Sequence, residues 1–414
     1  MANTDFHILP GPPEHSDPRE AFVLHLAQTL HRYGTPAHRL EQTMGMVLAQ
    51  LGLQGEFFAL PTSLFASFGR PESHRTSMMR GETGDVNLEK LSRLDKLAER
   101  IILREVSLEE GRQELETIIA QPQPFGNVLS LIGSGLGTAI AARVFGGGWR
   151  EILVAGVIGV LLGLIAPFFA RAEARRRVFE IVAALLAASI TVAAAHFFSP
   201  FSLFIATLAG LILLIPGMRL TTAMTEIASG HLVSGAARLT GAVMAFLGIA
   251  FGTALGNRIA SLLFETFPTT APLPLPEYTL WISVLLFPFA VMIGLQGHPK
   301  DFPLILLASS ISFFGARFGT QQFGPELGAF IGAISLGIVA NALSRLLRRP
   351  SAILIAPGLI LLVPGSIGYR SLTTLMEQDV VAGIELAFNV AIIGIAIVTG
   401  LLMANVLLPS KRGM

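Results

Sequence analysis

Two short segments carry the residues best suited to handling a polar solute in an otherwise apolar chain. The first follows Pro216-Gly217 and contains Arg219, Thr221, Thr222 and Glu226, with Arg238 a few turns beyond. The second follows Pro364-Gly365 and contains Tyr369, Arg370, Ser371, Thr373 and Thr374. Proline with glycine ends or breaks a helix, which frees carbonyls and donors that can line a polar cavity. Hydroxyls beside one or two charges suit a small zwitterion or carboxylate. A third candidate is Glu385 with Asn389, four residues apart on one helical face that is expected to point into the bundle. An ionisable group inside an apolar span costs about 2.5–3.5 kcal/mol to insert. A carboxylate in low dielectric also holds its proton to higher pH, so Glu385 is the candidate proton carrier. Arg238, Glu326 and Asn341 are weaker candidates, since all three suit the pairing of helices near the ends of spans.

Catalytic chemistry finds little to work with. The 414 residues include no cysteine, which removes disulfides, thiolate metal sites and cysteine nucleophiles. His25, His31 and His38 show no metal-ligand spacing, and no HExxH, GxSxG or Walker sequence occurs. The GSGLG run at Gly133 to Gly137 lies within an apolar stretch and follows no strand, so it reads as helix packing. The expectation is a protein that is not an enzyme and takes no cofactor or metal. A net charge of +1 with no basic patch argues against nucleic acid as a partner.

These residues must be held by elements buried in lipid. At 52% hydrophobic and 14% charged residues, with a mean hydropathy of +0.64, the chain is too apolar for an ordinary soluble protein. A composition break at Gln121 to Phe125 separates an N-terminal domain, 1–122, from the rest. Before it, Asp17-Pro18 starts a helix that Gly34 ends, Thr35-Pro36 starts a second reaching Gln50, and 56–69 and 76–80 read as two short strands. Asn87 to about Arg104 is helical again, and Ser107 to Glu110 is a capping box opening a fourth helix to about Ala120.

After the break, ten segments meet or approach the 20 or so apolar residues that cross a hydrocarbon core. They centre on 128–145, 152–170, 178–198, 201–216, 235–256, 278–295, 302–318, 324–343, 352–364 and 380–408. The fold class expected is an all-α polytopic membrane protein preceded by a small α+β cytoplasmic domain. Its membrane part divides into 123–265, a Pro-rich linker 266–276, and 277–414. Glycine rows at Gly248, Gly252 and Gly256 and at Gly324, Gly328 and Gly332 allow close helix approach, either within the chain or in a homo-oligomer. Lys and Arg in short loops stay cytoplasmic. With the N-terminus inside, the inner loops hold eleven, including Arg171, Arg175 to Arg177, Arg345, Arg348, Lys411 and Arg412, against four outside. Both termini are therefore expected on the cytoplasmic side of the inner membrane.

The membrane part repeats itself. Gly210 to Gly217 reads GLILLIPG and Gly358 to Gly365 reads GLILLVPG, with seven of eight residues identical. The same offset of 148 relates Gly235 to Gly383. A unit with an odd number of spans enters the membrane from opposite sides in its two copies, so the ten spans are expected as two inverted five-helix repeats. The Pro-Gly breaks are then expected toward opposite faces.

Several stretches resemble the threonine/serine exporter family. FVLHLAQTLHRYGTPAHRLEQTMGMVLAQLGL is similar to its N-terminal opening, and GDVNLEKLSRLDKLAERIILREVSLEEGRQELETI to the helices before its membrane part. IPGMRLTTAMTEIASGHLVSGAARL resembles the end of its first membrane half, and LVPGSIGYRSLTTLMEQDVVAGIELA its second half, a separate subunit in some members. The resemblance covers nearly the whole chain. It implies a ten-span exporter of the cytoplasmic membrane that moves threonine and serine outward, driven by the proton motive force. It carries over onto Pro216, Gly217, Glu226, Gly235, Arg238, Pro364 and Gly365; an acidic residue is common where Glu226 stands. Split members are linked to dicarboxylate export, which leaves small dicarboxylates such as succinate as the alternative substrate.

Overall fold

The computed structural model describes residues 17–70, 72–81, 86–198, 200–264, 270–347 and 349–409. Arg348, Lys411, Arg412 and part of the 266–276 linker lie outside these residues.

The N-terminal domain packs four helices on a three-stranded sheet. Helix α1 (Pro18–Arg32) starts where the Asp17 carboxylate accepts from the Arg19 amide, and Gly34 leaves it at φ +92°. Helix α2 (Ala37–Gln50) follows within a few residues. Strands β1 (Gly55–Leu60), β2 (Ser63–Phe68) and β3 (Arg75–Arg80) form an antiparallel meander. The single strand expected over 56–69 is thus a hairpin. Alternation runs through both arms, with Phe57, Ala59, Leu64, Ala66 and Phe68 inward, so period alone hides the turn; Pro61 at the tip marks it, having no N–H to give a ladder. Helix α3 (Leu88–Ile102) is capped by Asn87. Helix α4 (Leu108–Ala120) carries the expected capping box: Ser107 Oγ accepts from Glu110 N, and Glu110 Oε2 accepts from Ser107 N at 2.8 Å. Those bonds hold the Glu110 carboxyl below its usual range. Leu26, Leu30, Leu40, Met44, Leu94, Leu97 and Leu115 fill the core between helices and sheet.

The membrane part contains α5 (Asn127–Val144), α6 (Trp149–Ala170), α7 (Glu173–Phe197), α8 (Leu203–Gly210), α9 (Gly217–Ala228), α10 (Leu232–Ala260) and α11 (Tyr278–Gly294). It continues with α12 (Phe302–Phe323), α13 (Pro325–Leu347), α14 (Ala352–Ile360), α15 (Gly365–Met376) and α16 (Val380–Leu407). Among the described residues, eight helical stretches are long and apolar enough to cross a membrane. They are α5, α6, α7, α10, α12 with the 3₁₀ turn before it, α13, the stretch 352–376 and α16. Of the other two segments expected to span, α11 is a shorter apolar helix, and 201–216 is helical only in α8. At 1.5 Å per residue, α8 reaches about 12 Å, and only α8 and α9 together reach about 30 Å.

The glycine rows are used inside the chain. A Cβ on Gly252 or Gly256 would stand 2.3 Å from the carbonyl oxygen of Ile181 or Leu185, so α10 and α7 meet backbone to backbone. Gly328 approaches Thr320 in the same way between α13 and α12. Gly133 and Gly135 seat Ile293 and Val160, which accounts for the GSGLG run as packing.

Candidate functional site

The two Pro-Gly breaks meet each other. The chain leaves α8 after Gly210 and re-enters helix at Gly217; it leaves α14 after Ile360 and re-enters at Gly365. Pro216 (φ −78°, ψ 39°) and Pro364 (φ −79°, ψ 32°) have nearly the same backbone. A Cβ built on Gly217 would stand 3.4 Å from the Cα of Gly365, and one on Gly365 would stand 3.4 Å from the Cα of Gly217. The expectation that the breaks lie toward opposite faces is therefore corrected. Each break stands between two short helices, α8 and α9 in one case and α14 and α15 in the other, so each proline lies between helical segments and not at the outer end of one. Pro216, Gly217, Pro364 and Gly365 are all buried.

Several hydroxyls lie on the helices that flank this junction. Tyr369, 2% exposed, places its OH 3.4 Å from Thr253 Oγ1, and its ring lies 6.0 Å from that of Phe204. Thr221 Oγ1 donates to Gly217 O, and Ser371 Oγ donates to Gly383 O. On α12, Ser309 and Ser312 are buried with no hydrogen-bond partner, and Ser312 Oγ adjoins Gly358 of α14. Thr222 is half-buried on α9. Arg219 is largely exposed and reaches Glu180 of α7 at 3.2 Å, while the Arg370 guanidinium lies over the Phe204 ring.

A separate acid–base cluster lies at the far end of α9. Glu226 is fully buried. Its Oε1 accepts from Arg238 Nη2 (3.0 Å) and from the backbone N–H of Ala37 (3.0 Å). Its Oε2 accepts from Arg238 Nε (3.1 Å) and Ser234 Oγ (3.0 Å). Planar guanidinium and carboxylate thus face each other in the two-pronged arrangement that fixes both. The sequence brings them together because α9 turns back at Gly230, φ +87°, into α10, where Ser234 and Arg238 are one turn apart. Next to the pair, His231 Nε2 lies 3.0 Å from Glu41 Oε2, whose other oxygen accepts from Ala59 N of β1. His38 packs its ring 6.0 Å from that of His231, and its Nδ1 is buried without a partner. Burial first, then the charge of Arg39 and His231, pushes the His38 imidazole down to about 4. Burial also lowers His31, whose Nε2 sits 2.7 Å from Leu60 O. Among the described residues, no group of three or more His, Asp or Glu side chains is placed to hold a metal ion.

Comparison with known proteins bears on this arrangement. A family model described as "Putative threonine/serine exporter" matches residues 21–260, and a second, "Threonine/Serine exporter, ThrE", matches 280–407. The chain belongs to the threonine/serine exporter family. Both exporter models fall on this one chain, so it is a fused form. It is 28% identical over 345 residues to pheromone-regulated membrane protein 10 of Pichia sorbitophila, covering 79% of this chain and 34% of that one. The protein of the same name from Yarrowia lipolytica is 27% identical over 346 residues, covering 79% of this chain and 28% of that one. An uncharacterized protein of Schizosaccharomyces pombe is 24% identical over 340 residues, 79% of this chain and 45% of that one. The chain spans less than half the length of these relatives. No solved structure matches it.

Within this family frame, the candidate residues fall into three places. Pro216, Gly217, Thr222, Pro364, Gly365 and Tyr369 surround or flank the junction, with Arg219 on its α7 side. Glu226 and Arg238 form the separate cluster. Glu385 and Asn389 belong to neither. The expectation that their face points into the bundle is corrected: Glu385 is exposed beside Val381, Ile384 and Phe388, and Asn389 is half-buried. The reason is that α16 turns Gly383 toward Leu375 of α15, and a residue two positions on is rotated about 200° from it. Asn341 pairs helices as expected, donating to Asn405 Oδ1 and Leu408 O; Glu326 is half-buried in the first turn of α13.

Sequence reasoning missed Glu180, Ser234, Thr253, Glu41 and the Ala37 amide. Ser234 was within reach, standing one turn before Arg238. The Ala37 contact was not, because it joins a backbone group to a side chain 189 residues away.

Proposed function

We propose that the chain is a secondary transporter that exports threonine and serine across the cytoplasmic membrane, driven by the proton motive force. The observation that carries this reading is the juxtaposition of the two broken crossings at Gly217 and Gly365. Broken helices at a repeat interface expose backbone dipoles to a solute, and motion of one repeat against the other opens such a site to alternate sides. Buried hydroxyls of Thr221, Thr253, Ser309, Ser312 and Tyr369 near the breaks suit a substrate with its own hydroxyl, ammonium and carboxylate.

Two inverted five-helix copies make up the transporter in this reading, ten crossings in all. Several features support it. Helices α9 and α15 begin and end 148 residues apart, and α10 and α16 begin 148 apart. Helix α9 packs on α10 and on α16, and α15 packs on α16 and on α10, as a two-fold relation requires. The buried Glu151 at the start of α6 accepts from Ser202 N in the α7–α8 loop; the buried Asp301 before α12 pairs with Arg349 in the α13–α14 loop. The N-terminal domain touches the turns at 229–231 and 295–296 and helix α14. All these lie on the side that basic loops assign to the cytoplasm, which supports cytoplasmic termini. The partners of the protein are then a small polar solute, protons and the lipid bilayer.

A dicarboxylate would need two cations; Arg219 is engaged by Glu180 and Arg238 by Glu226, which favours a zwitterion. Glu385, which makes no ion pair among the described residues, suits the proton better than Glu226, whose oxygens carry four hydrogen bonds. Proteoliposomes loaded with labelled threonine, serine or succinate and given a pH gradient test the reading. Threonine and serine are expected to move and succinate to stay; movement of none of the three overturns it.

A further inference from the structure

The second copy of the hairpin serves as an internal control for the first. The turns match: Gly230 and Gln378, 148 apart, both have positive φ, and the next residues, His231 and Asp379, both have φ −85°. Gly235 and Gly383 both seat the residue eight positions before them, Ile227 and Leu375. Against that match, the side chains of the acid–base cluster have no counterpart. Glu226, Ser234 and Arg238 correspond to Thr374, Ala382 and Leu386. The hairpin therefore forms without the cluster. What the first copy has and the second lacks at this place is a neighbour, the N-terminal domain.

Helix α2 of that domain starts at Pro36-Ala37 with no side-chain cap and no acidic residue in its first turn. Glu226 supplies both from outside, with its carboxylate on the Ala37 N–H at the positive end of the helix. Glu41, one turn further along α2, ties β1 to His231 of the hairpin. The domain's other hold is on the second copy, where Leu88 N and Glu89 N donate to the carbonyls of Leu295 and Gln296 after α11. One soluble body thus bridges two membrane copies, so any relative motion of the copies must change one of the two holds.

We propose that Glu226 is a catch that seats the N-terminal domain as a plug on the inner end of the first copy and releases the Ala37 amide when that copy moves. This rests on the transporter reading above, so its test has one arm that needs no transport. Ala37→Pro removes the donor and leaves the Glu226–Arg238 pair in place. Pro36 already has φ −61° and ψ 150°, as a residue before proline requires, and proline is accepted at the first position of a helix. Ser234→Cys, buried at 2% exposure in a chain without cysteine, then reports the seat. In nanodiscs, a maleimide is expected to label it about tenfold faster or more when Ala37→Pro is added, a tenfold change being one hydrogen bond's worth. Equal labelling overturns the catch.

The second arm reads the plug. Glu41→Cys with His231→Cys, joined by a short reducible cross-linker, fixes α2 to the hairpin. Export of threonine from proteoliposomes is expected to fall about tenfold or more on cross-linking and to return on reduction. Full export with the cross-link in place overturns the plug. If the reduced protein moves neither threonine, serine nor succinate, it is the transporter reading that fails, and the labelling arm still decides the catch.

Discussion

Gly217 and Gly365 face each other where α9 and α15 begin, each leaving room for the other's backbone and for Val363 or Ile215. A methyl group on Gly217 would stand 2.4 Å from Val363 Cγ1, and one on Gly365 would stand 2.8 Å from Ile215 Cγ2.

Gly217→Val and Gly365→Val should therefore force the two breaks apart. Overpacking of this kind costs about 1–3 kcal/mol, and here it falls on the contact between the two breaks, which the proposed transport cycle uses. Threonine flux is expected to drop more than tenfold in both variants, by an order-of-magnitude reading of that cost, while the N-terminal domain keeps its fold by circular dichroism and protease resistance. Equal flux would place the moving contact elsewhere.

Breaking the Glu226–Arg238 pair from one side leaves a buried charge alone. Arg238→Leu or Glu226→Leu is expected to destabilise the protein by about 3–5 kcal/mol, and the double substitution by clearly less, because both charges then go together. A double-mutant cycle on thermal unfolding in detergent measures this; additive losses would mean the pair is not coupled. The second hairpin, with Thr374 and Leu386 at these positions, already shows that the turn tolerates neutral side chains.

The buried His38 sets a pH dependence. Its folded-state value is pushed down to about 4 from 6.5. Between those values the unfolded chain binds more protons than the folded one, so stability present above about pH 6.5 is lost as pH falls toward 4. Buried Asp95, raised by burial against the pull of Arg39, acts with the opposite sign, so the comparison must isolate His38. His38→Gln is expected to flatten the fall in melting temperature between pH 6.5 and 4.5; an unchanged slope would remove His38 as its cause.

Inversion of the copies predicts opposite accessibility for corresponding turns. Single cysteines replacing Ser229 and Glu377, 148 apart, are expected to react with an impermeant thiol reagent from the inner and the outer side respectively. Labelling of both from one side would contradict the inverted arrangement.

Much of this was legible in the sequence, and the rest was not for identifiable reasons. The N-terminal helices announced themselves through Asp17-Pro18, Gly34 and the Ser107–Glu110 box, all local signals. The 148-residue register pointed to α9, α10, α15 and α16 and to the two breaks as a matched pair. Where the breaks lie could not be read, because apolar residues on both sides of Pro216 look alike whether the chain ends there or continues as α9. Glu385 misled because an i, i+4 spacing fixes a shared face but not the direction in which that face points. The Ala37–Glu226 contact has no sequence signature, since a backbone amide is present at every residue but proline.

Glu385→Gln separates coupling from transport. The exposed carboxylate touches no ion-pair partner among the described residues, so the substitution is expected to change stability by less than about 0.5 kcal/mol. If Glu385 carries the proton, flux driven by a pH gradient falls while exchange of threonine for threonine persists. Undiminished gradient-driven flux would remove Glu385 from that role.

The central claim is most directly tested by loading cysteine-free wild-type protein in vesicles with labelled threonine and following its movement when a pH gradient is imposed and then collapsed. The account predicts gradient-dependent threonine movement that serine competes for, that succinate does not, and that Gly365→Val abolishes. Wild-type vesicles that retain all three solutes as protein-free vesicles do would contradict it.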